Sequence, residues 1–127
     1  PERVALNLAD AAIADNDGAQ PTDAPLEPHG PVARFALLPV KHIADAIAQA
    51  GIPAEVSLSA GSYVCNAVMY AALGIAEQRE GSGGAPLRVG FIHVPATPQL
   101  GGDPRFTLDE LERAIRIAIT TIIDLHT

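Results

Sequence analysis

The chain is 127 residues long, 48% hydrophobic, and carries a net charge of −7 from 15 acidic and eight basic side chains. That length suits a single domain with a real core, and the acidic balance with scattered basic residues argues against nucleic acid or an anionic membrane as partner. A single cysteine permits no internal disulfide, which fits a cytoplasmic setting, and no apolar run approaches the roughly eighteen residues of a membrane span. The first short β-like run is "VALNL" at 4–8. Residues 14–31 follow, with four prolines, two glycines and no periodicity, and read as a long loop. "ARFALL" at 33–38 is a second β-like run. Residues 40–50 place Ile43, Ala46, Ile47 and Ala50 on one helical stripe, ended by Gly51 and Pro53.

"AEVSL" at 54–58 is a third β-like run, and residues 64–79 are apolar nearly all round, as a buried helix would be. "EGSGGAP" at 80–86 is a flexible connection to a fourth β-like run, "LRVGFIHV" at 87–94, and residues 95–105 are a further loop. Thr107 with Glu110 reads as a capping box and Phe106 with Leu111 as a hydrophobic staple. Leu108, Leu111, Ile115, Ala118, Ile119 and Ile122 then form the core-facing stripe of a last helix. β-like runs alternating with helices imply an α/β fold with a largely parallel sheet covered by helices on both faces.

The lone cysteine stands in "AGSYVCNAVMY" at 60–70, after a β-like run and a Gly-containing turn, in the first turn of the apolar helix. A helix N-terminus carries partial positive charge and unpaired N–H groups. Both favour a thiolate, and the same N–H groups can donate to the oxyanion formed when sulfur attacks a carbonyl. The plain alternative is that Cys65 is a small buried hydrophobe. A cysteine hydrolase also needs a base, for which His is the usual choice. His29, His42 and His126 read as solvated or cap-associated. His93 closes the fourth β-like run at its C-terminal end, before Pro95, where open α/β sheets bind ligands. One cysteine and four dispersed histidines have no metal-ligand spacing, so neither metal nor cofactor is expected.

"VSLSAGSYVCN" at 56–66 and "GFIHVP" at 90–95 resemble the cysteine and histidine motifs of the type I pyroglutamyl peptidases, the pyrrolidone-carboxylate peptidases. "PERVALN" at 1–7 resembles that family's glutamate motif, and the likeness continues through "LPVK" at 38–41 and "AGIPAEVS" at 50–57, covering about residues 1 to 98. The resemblance implies a three-layer α/β sandwich and a catalytic triad in which Cys65 is the nucleophile, His93 the base and Glu2 the acid that orients it. It implies hydrolysis of an N-terminal pyroglutamyl residue from a peptide through a thioester. The oxyanion would rest on the backbone N–H of Cys65, and Ile13, Tyr63 and Val64 would wall an apolar pocket for the neutral lactam. Peptides with N-terminal pyroglutamate are then the expected partners, and a homo-oligomer, as a tetramer, the expected assembly.

Two departures stand out. Family members carry a substantial portion ahead of the glutamate motif, with a first strand and a loop against the substrate ring, whereas this sequence opens one residue before Glu2. Residues 1–127 are therefore expected to be one catalytic-type α/β domain forming the C-terminal part of a longer chain. The family context Ala-Arg-Ile, whose Arg helps hold the oxyanion, reads Ala11-Ala12-Ile13 here; Arg34 and Arg105 are the candidate substitutes. Two other functions stay open: a non-catalytic binding or scaffold protein on the same fold, and a cysteine amidase acting on a different lactam or acyl amide.

Overall fold

Three helices form where the apolar spacing places them, and each boundary has a local cause. The structure is a computed structural model and describes residues 1–125; the fourth histidine, His126, lies outside the described residues. These residues group into two compact units, one of residues 39–56 and 92–125 with Pro1, the other of residues 2–38 and 57–91.

In the first unit, α1 (Val40–Gln49) buries Val40, Ile43, Ala44 and Ile47 and packs on α3 (Leu108–Asp124). Gly51 breaks α1 where expected, and its last carbonyls are not left to water alone: Arg113 Nη2 donates to the carbonyl of Ala50 at 2.7 Å. A short 3₁₀ turn, Pro98–Leu100, lies between the two helices in sequence. Thr107 caps α3 by accepting from the Glu110 N–H at 3.3 Å, half of the expected capping box. The Glu110 carboxylate reaches forward to Arg113 at 3.5 Å.

The expected core stripe of α3 needs correction. Leu111, Ala114 and Ala118 are the buried positions, whereas Leu108 and Ile119 are 69% and 52% exposed. Ala114 and Ala118, small residues, are buried with Leu111 on a helix that packs against α1. The larger Leu108, Ile115 and Ile119 are turned toward Val94, lining an apolar groove rimmed by Glu112 and Arg116.

In the second unit, β1 (Val4–Leu6) pairs antiparallel with β2 (Ala33–Phe35), in register Val4 to Phe35 and Leu6 to Ala33. A largely parallel sheet was expected; this pair is antiparallel, and residues 7–32 that join it contain no helix, the usual crossover of a parallel return. Parallel pairing survives at one point, the bridge between Glu2 and Ser57, to which the 54–58 run contracts. The 87–94 run is not a regular strand: it is tied by Glu2 N–H to Phe91 O and Leu37 N–H to Val89 O, both 2.8 Å, around the Gly90 that weakens a strand interior. The coarse class is α/β.

Helix α2 (Val64–Gly81) lies on both strands. Met69, Tyr70 and Leu73 join Ala5 and Ala60 in the core, with Leu26, Ala36, Val89 and Phe91 packed around them. Burying side chains of this size contributes about 1.5–3 kcal/mol each. The helix is not buried all round, however: Val64, Val68 and Ile75 are each more than half exposed.

The long loop is held by polar groups. Asn7 Nδ2 donates to Glu27 O at 2.8 Å and its Oδ1 accepts from Glu27 N–H at 2.8 Å, while Tyr70 donates to Pro31 O at 2.8 Å. Beneath it Arg34, 6% exposed, forms 2.8 Å ion pairs with Glu27 and Glu77 and lies 4.0 Å over the Tyr70 ring. Burial opposes the guanidinium charge, but the bonds to Glu77 and Glu27 outweigh it and raise the pKa above its ordinary value. Burial likewise pushes the Tyr70 hydroxyl up, against the pull of Arg34. Gly74 gives Arg34 its room, since a Cβ there would sit 3.2 Å from the guanidinium carbon. Among the described residues no helix is long and apolar enough to cross a membrane.

Two stability measurements check this account. Thr107→Ala should destabilise the protein by about 1 kcal/mol in urea denaturation; a change within error would mean that the cap does not hold α3. Gly74→Ala should fail to gain the roughly 1 kcal/mol that alanine ordinarily adds within a helix, because the new methyl meets a guanidinium fixed between two carboxylates. A full gain would show that Arg34 gives way freely.

Candidate active site

The turn before α2 is built from small polar residues that bond to one another. Ser57 Oγ donates to Ser59 O at 3.1 Å, and Gly61 N–H donates to Ser59 Oγ at 3.1 Å. Gly61 has φ +83°, a left-handed conformation that glycine adopts at little cost, and it turns the chain into the helix. Ser62 fixes the outer side of the turn to the segment after β1: its hydroxyl donates to Asp10 O at 2.9 Å and its carbonyl accepts from Asp10 N–H at 2.8 Å.

Tyr63 is the cap residue, and the first helical bond runs from Ala67 N–H to Tyr63 O at 3.0 Å. The N–H groups of Val64, Cys65 and Asn66 precede that bond, at the electropositive end of the helix. Cys65, a free thiol, is the second residue of α2 and half-buried. A thiol so placed is partly accessible, and N–H groups at a helix head are of the kind that can stabilise a thiolate or an oxyanion. The helix start and the cysteine in its first turn are where the sequence puts them.

The other site residues divide between the units. Glu2, Ile13, Tyr63 and Val64 share the unit of Cys65, and His93 belongs to the unit of α1 and α3. Glu2 is 3% exposed and lies in extended backbone, bridged to Ser57 and donating its N–H to Phe91 O. Tyr63 is half-buried, Val64 and Ile13 are 53% and 69% exposed, and His93 is exposed. His29 and His42 are exposed as well. Among the described residues no cluster of His, Cys, Asp or Glu could hold a metal ion.

Ala12 is exposed, and its neighbour Ala11 is buried, with its N–H on Pro21 O and its carbonyl accepting from Gln20. Both arginines named as substitutes for the family's Arg are engaged by carboxylates, Arg34 while buried and Arg105 at the surface. Arg34 is committed to Glu27 and Glu77 beside Tyr70 and Gly74, well down the helix from Cys65. Arg105 grips Asp103, with Nη2 at 2.7 Å and Nε 3.1 Å from both carboxylate oxygens.

The residue that sequence reasoning passed over is Asn66. It is fully buried and bonds three times to β1 and the residues after it. Its signal was an amide inside an otherwise apolar run.

The chain is thus of α/β class, with a free cysteine at the head of a helix after a serine- and glycine-built turn. The sequence profile of the pyroglutamyl peptidases matches residues 1–125. The pyrrolidone-carboxylate peptidase of Levilactobacillus brevis is 44% identical over 130 residues, covering 99% of this chain and 62% of its own length. That of Bacillus subtilis is 44% identical over 124 residues, covering 95% and 56%. Among solved structures, the pyrrolidone carboxyl peptidase of Thermococcus litoralis superposes with a TM-score of 0.88 at 40% identity, covering 97% of this chain and 58% of its own. Pyroglutamyl peptidase I of Bacillus amyloliquefaciens gives 0.86 at 38%, covering 96% and 58%. The chain belongs to the pyroglutamyl peptidase family, and it spans roughly three-fifths of the length of these relatives.

The commitment of Arg105 is directly measurable. Its hydrogen bonds hold the Asp103 carboxyl down to about 2 from 3.8. A depressed folded-state pKa stabilises above the ordinary carboxylate pKa and loses that contribution as pH falls through about 2. In an NMR titration Asp103 should titrate near 2, and Arg105→Ala should return it toward 3.8; an unmoved midpoint would release Arg105 for another role.

Proposed function

We propose that this chain is the catalytic part of a cysteine peptidase that removes an N-terminal pyroglutamyl residue from peptides. The observation that carries the proposal is the free, half-buried thiol of Cys65 at the head of α2, in a chain that matches the pyroglutamyl peptidase family from residue 1 to 125. The Cys65 sulfur, its proton taken by His93, attacks the carbonyl carbon that joins the pyroglutamyl group to the next residue. The C–N bond breaks, the amine leaves with the proton from His93, and a thioester remains. Water, deprotonated by His93, then attacks the thioester, and the sulfur leaves as free pyroglutamate forms. Glu2 accepts from the second imidazole nitrogen, fixing the tautomer and stabilising the imidazolium.

Ile13, Tyr63 and Val64 offer apolar surface for the lactam, which carries no charge and no free amine. Exposure of Ile13 and Val64 leaves them free to contact a ligand. The backbone N–H of Cys65 supplies an oxyanion donor. The same proposal makes residues 1–127 a single α/β domain within a three-layer sandwich, placed in the cytoplasm. The apolar groove of Leu108, Ile115 and Ile119 on α3 supports self-association, up to a tetramer.

The test uses the chain its gene encodes and a pyroglutamyl-aminomethylcoumarin reporter. Hydrolysis is expected, with Cys65→Ser inactive yet folded, and iodoacetamide should alkylate Cys65 in the native protein. Alkylation only after unfolding would make Cys65 a core residue and end the proposal. Glu2→Gln should lower kcat by more than about tenfold and leave measurable turnover, because an orienting carboxylate matters less than a nucleophile. An unchanged rate would remove Glu2 from the triad.

Ala12→Arg tests the oxyanion hole. One donor is worth about 10²–10³ in kcat, and Arg34 and Arg105 are both engaged elsewhere. Ala12→Arg should therefore raise kcat by at least about tenfold. No gain would mean that another group already fills that place.

A further inference from the structure

We infer that Asn66 is a positioning residue for the Cys65 nucleophile; the inference rests on the peptidase proposal above. Asn66 follows Cys65 directly and is fully buried. Its Oδ1 accepts from Leu6 N–H at 2.8 Å, and its Nδ2 donates to Leu6 O at 2.9 Å and to Leu8 O at 3.0 Å. The side-chain amide exchanges both bonds with one residue, as a neighbouring peptide does in an antiparallel ladder. Toward β2 the ladder is carried instead by Arg3 O, which accepts from Ala36 N–H, and by Asn7 N–H, which donates to Val32 O. The amide therefore serves backbone groups of Leu6 and Leu8 that would otherwise be costly to bury.

The consequence lies in where the first turn of α2 sits. Asn66 holds that turn against the end of β1, and Ser62, four residues earlier, holds the preceding turn to Asp10 through two further bonds. Cys65 lies between these two fixed points, and so do the N–H groups of Val64 and Cys65. The segment held runs on through Ala12 to Ile13, so one pair of polar residues sets the nucleophile relative to the apolar wall. Displacing reacting groups by about 1 Å can cost on the order of 10²-fold in rate. Asn66 touches neither sulfur chemistry nor substrate; it acts through the position of its neighbour.

The experiment compares Asn66→Ser, Asn66→Gln and a matched control, Asn7→Ser, in the chain its gene encodes. Serine is too short to span to both Leu6 and Leu8. Glutamine keeps both groups of the amide, displaced by one methylene. Asn7 stands between Leu6 and Leu8 on the same segment, but its side chain makes the same kind of bonds to Glu27 and Gly30 of the long loop and, among the described residues, none to α2. Two quantities are read in protein shown to be folded: the rate of iodoacetamide alkylation of native Cys65, and kcat and KM on the reporter.

The expected result is a fall of about tenfold or more in kcat for Asn66→Ser with KM within about threefold, a matching fall in alkylation rate, a smaller fall for Asn66→Gln, and no change in alkylation for Asn7→Ser. Folded Asn66 variants that keep the alkylation rate and kcat, losing only thermal stability, would overturn the inference. So would an equal loss of alkylation in Asn7→Ser. If Asn66→Ser does not fold, Asn66→Gln decides by the same two readings. If the unsubstituted chain does not hydrolyse the reporter, the peptidase proposal fails, and the alkylation comparison still decides the role of Asn66.

Discussion

The unit that holds Cys65 depends on one buried amide. Helix α2 brings Met69, Tyr70 and Leu73 to the core, but apolar contacts are non-directional and would allow the helix to slide along the strands. The three bonds of Asn66 to Leu6 and Leu8 do not allow this, because each has a short optimal distance and leaves a buried group unsatisfied if it breaks. A leucine in that place would bury more carbon and fix less. Tyr63, Val64 and Cys65, which a substrate would meet, follow from where that amide sits.

Arg34 does comparable work further down the same helix. It lies between carboxylates contributed by the long loop and by α2, under an aromatic ring, in space left by Gly74. Both carboxylates are about half exposed, so the guanidinium is buried while its partners remain wet. This limits the desolvation that makes a fully buried ion pair unfavourable. The loop, having no periodicity, cannot bury an apolar face and is ordered through backbone groups met by Asn7, Gln20, Tyr70 and Arg34's partner Glu27.

What the sequence shows and what it hides follow from the range of the interactions involved. Helices α1, α2 and α3 were legible because apolar spacing, a breaking Gly51 and a capping Thr107 are local signals. The sheet was not, since strand direction depends on what connects the strands. Residues 7–32 contain no crossover helix, and β2 returns antiparallel to β1. The buried face of α3 was misassigned toward its largest residues, because periodicity favours large apolar side chains and the buried positions include the small Ala114 and Ala118. At the site, Cys65 was legible from its place after a glycine turn. The burial of Glu2 was not legible, since nothing near it in sequence shows it, and its proposed role came from family resemblance alone. Asn66 carried a signal, an amide in an apolar run, but its partners lie about sixty residues away and no local pattern names them.

The substitution at position 12 shows which parts of such a site are robust. An arginine that aids an oxyanion is a side chain, and a single codon change removes it. The N–H groups at the head of α2 are backbone and persist as long as the helix starts at Val64. Three residues hold that start: Gly61 turns the chain, Ser62 ties it to Asp10, and Asn66, the buried one, ties it to β1. Electrostatic stabilisation built from backbone dipoles is thus protected by several residues at once, whereas the arginine's share has no such protection. On the proposed reading, a chain with Ala12 keeps the first contribution and lacks the second.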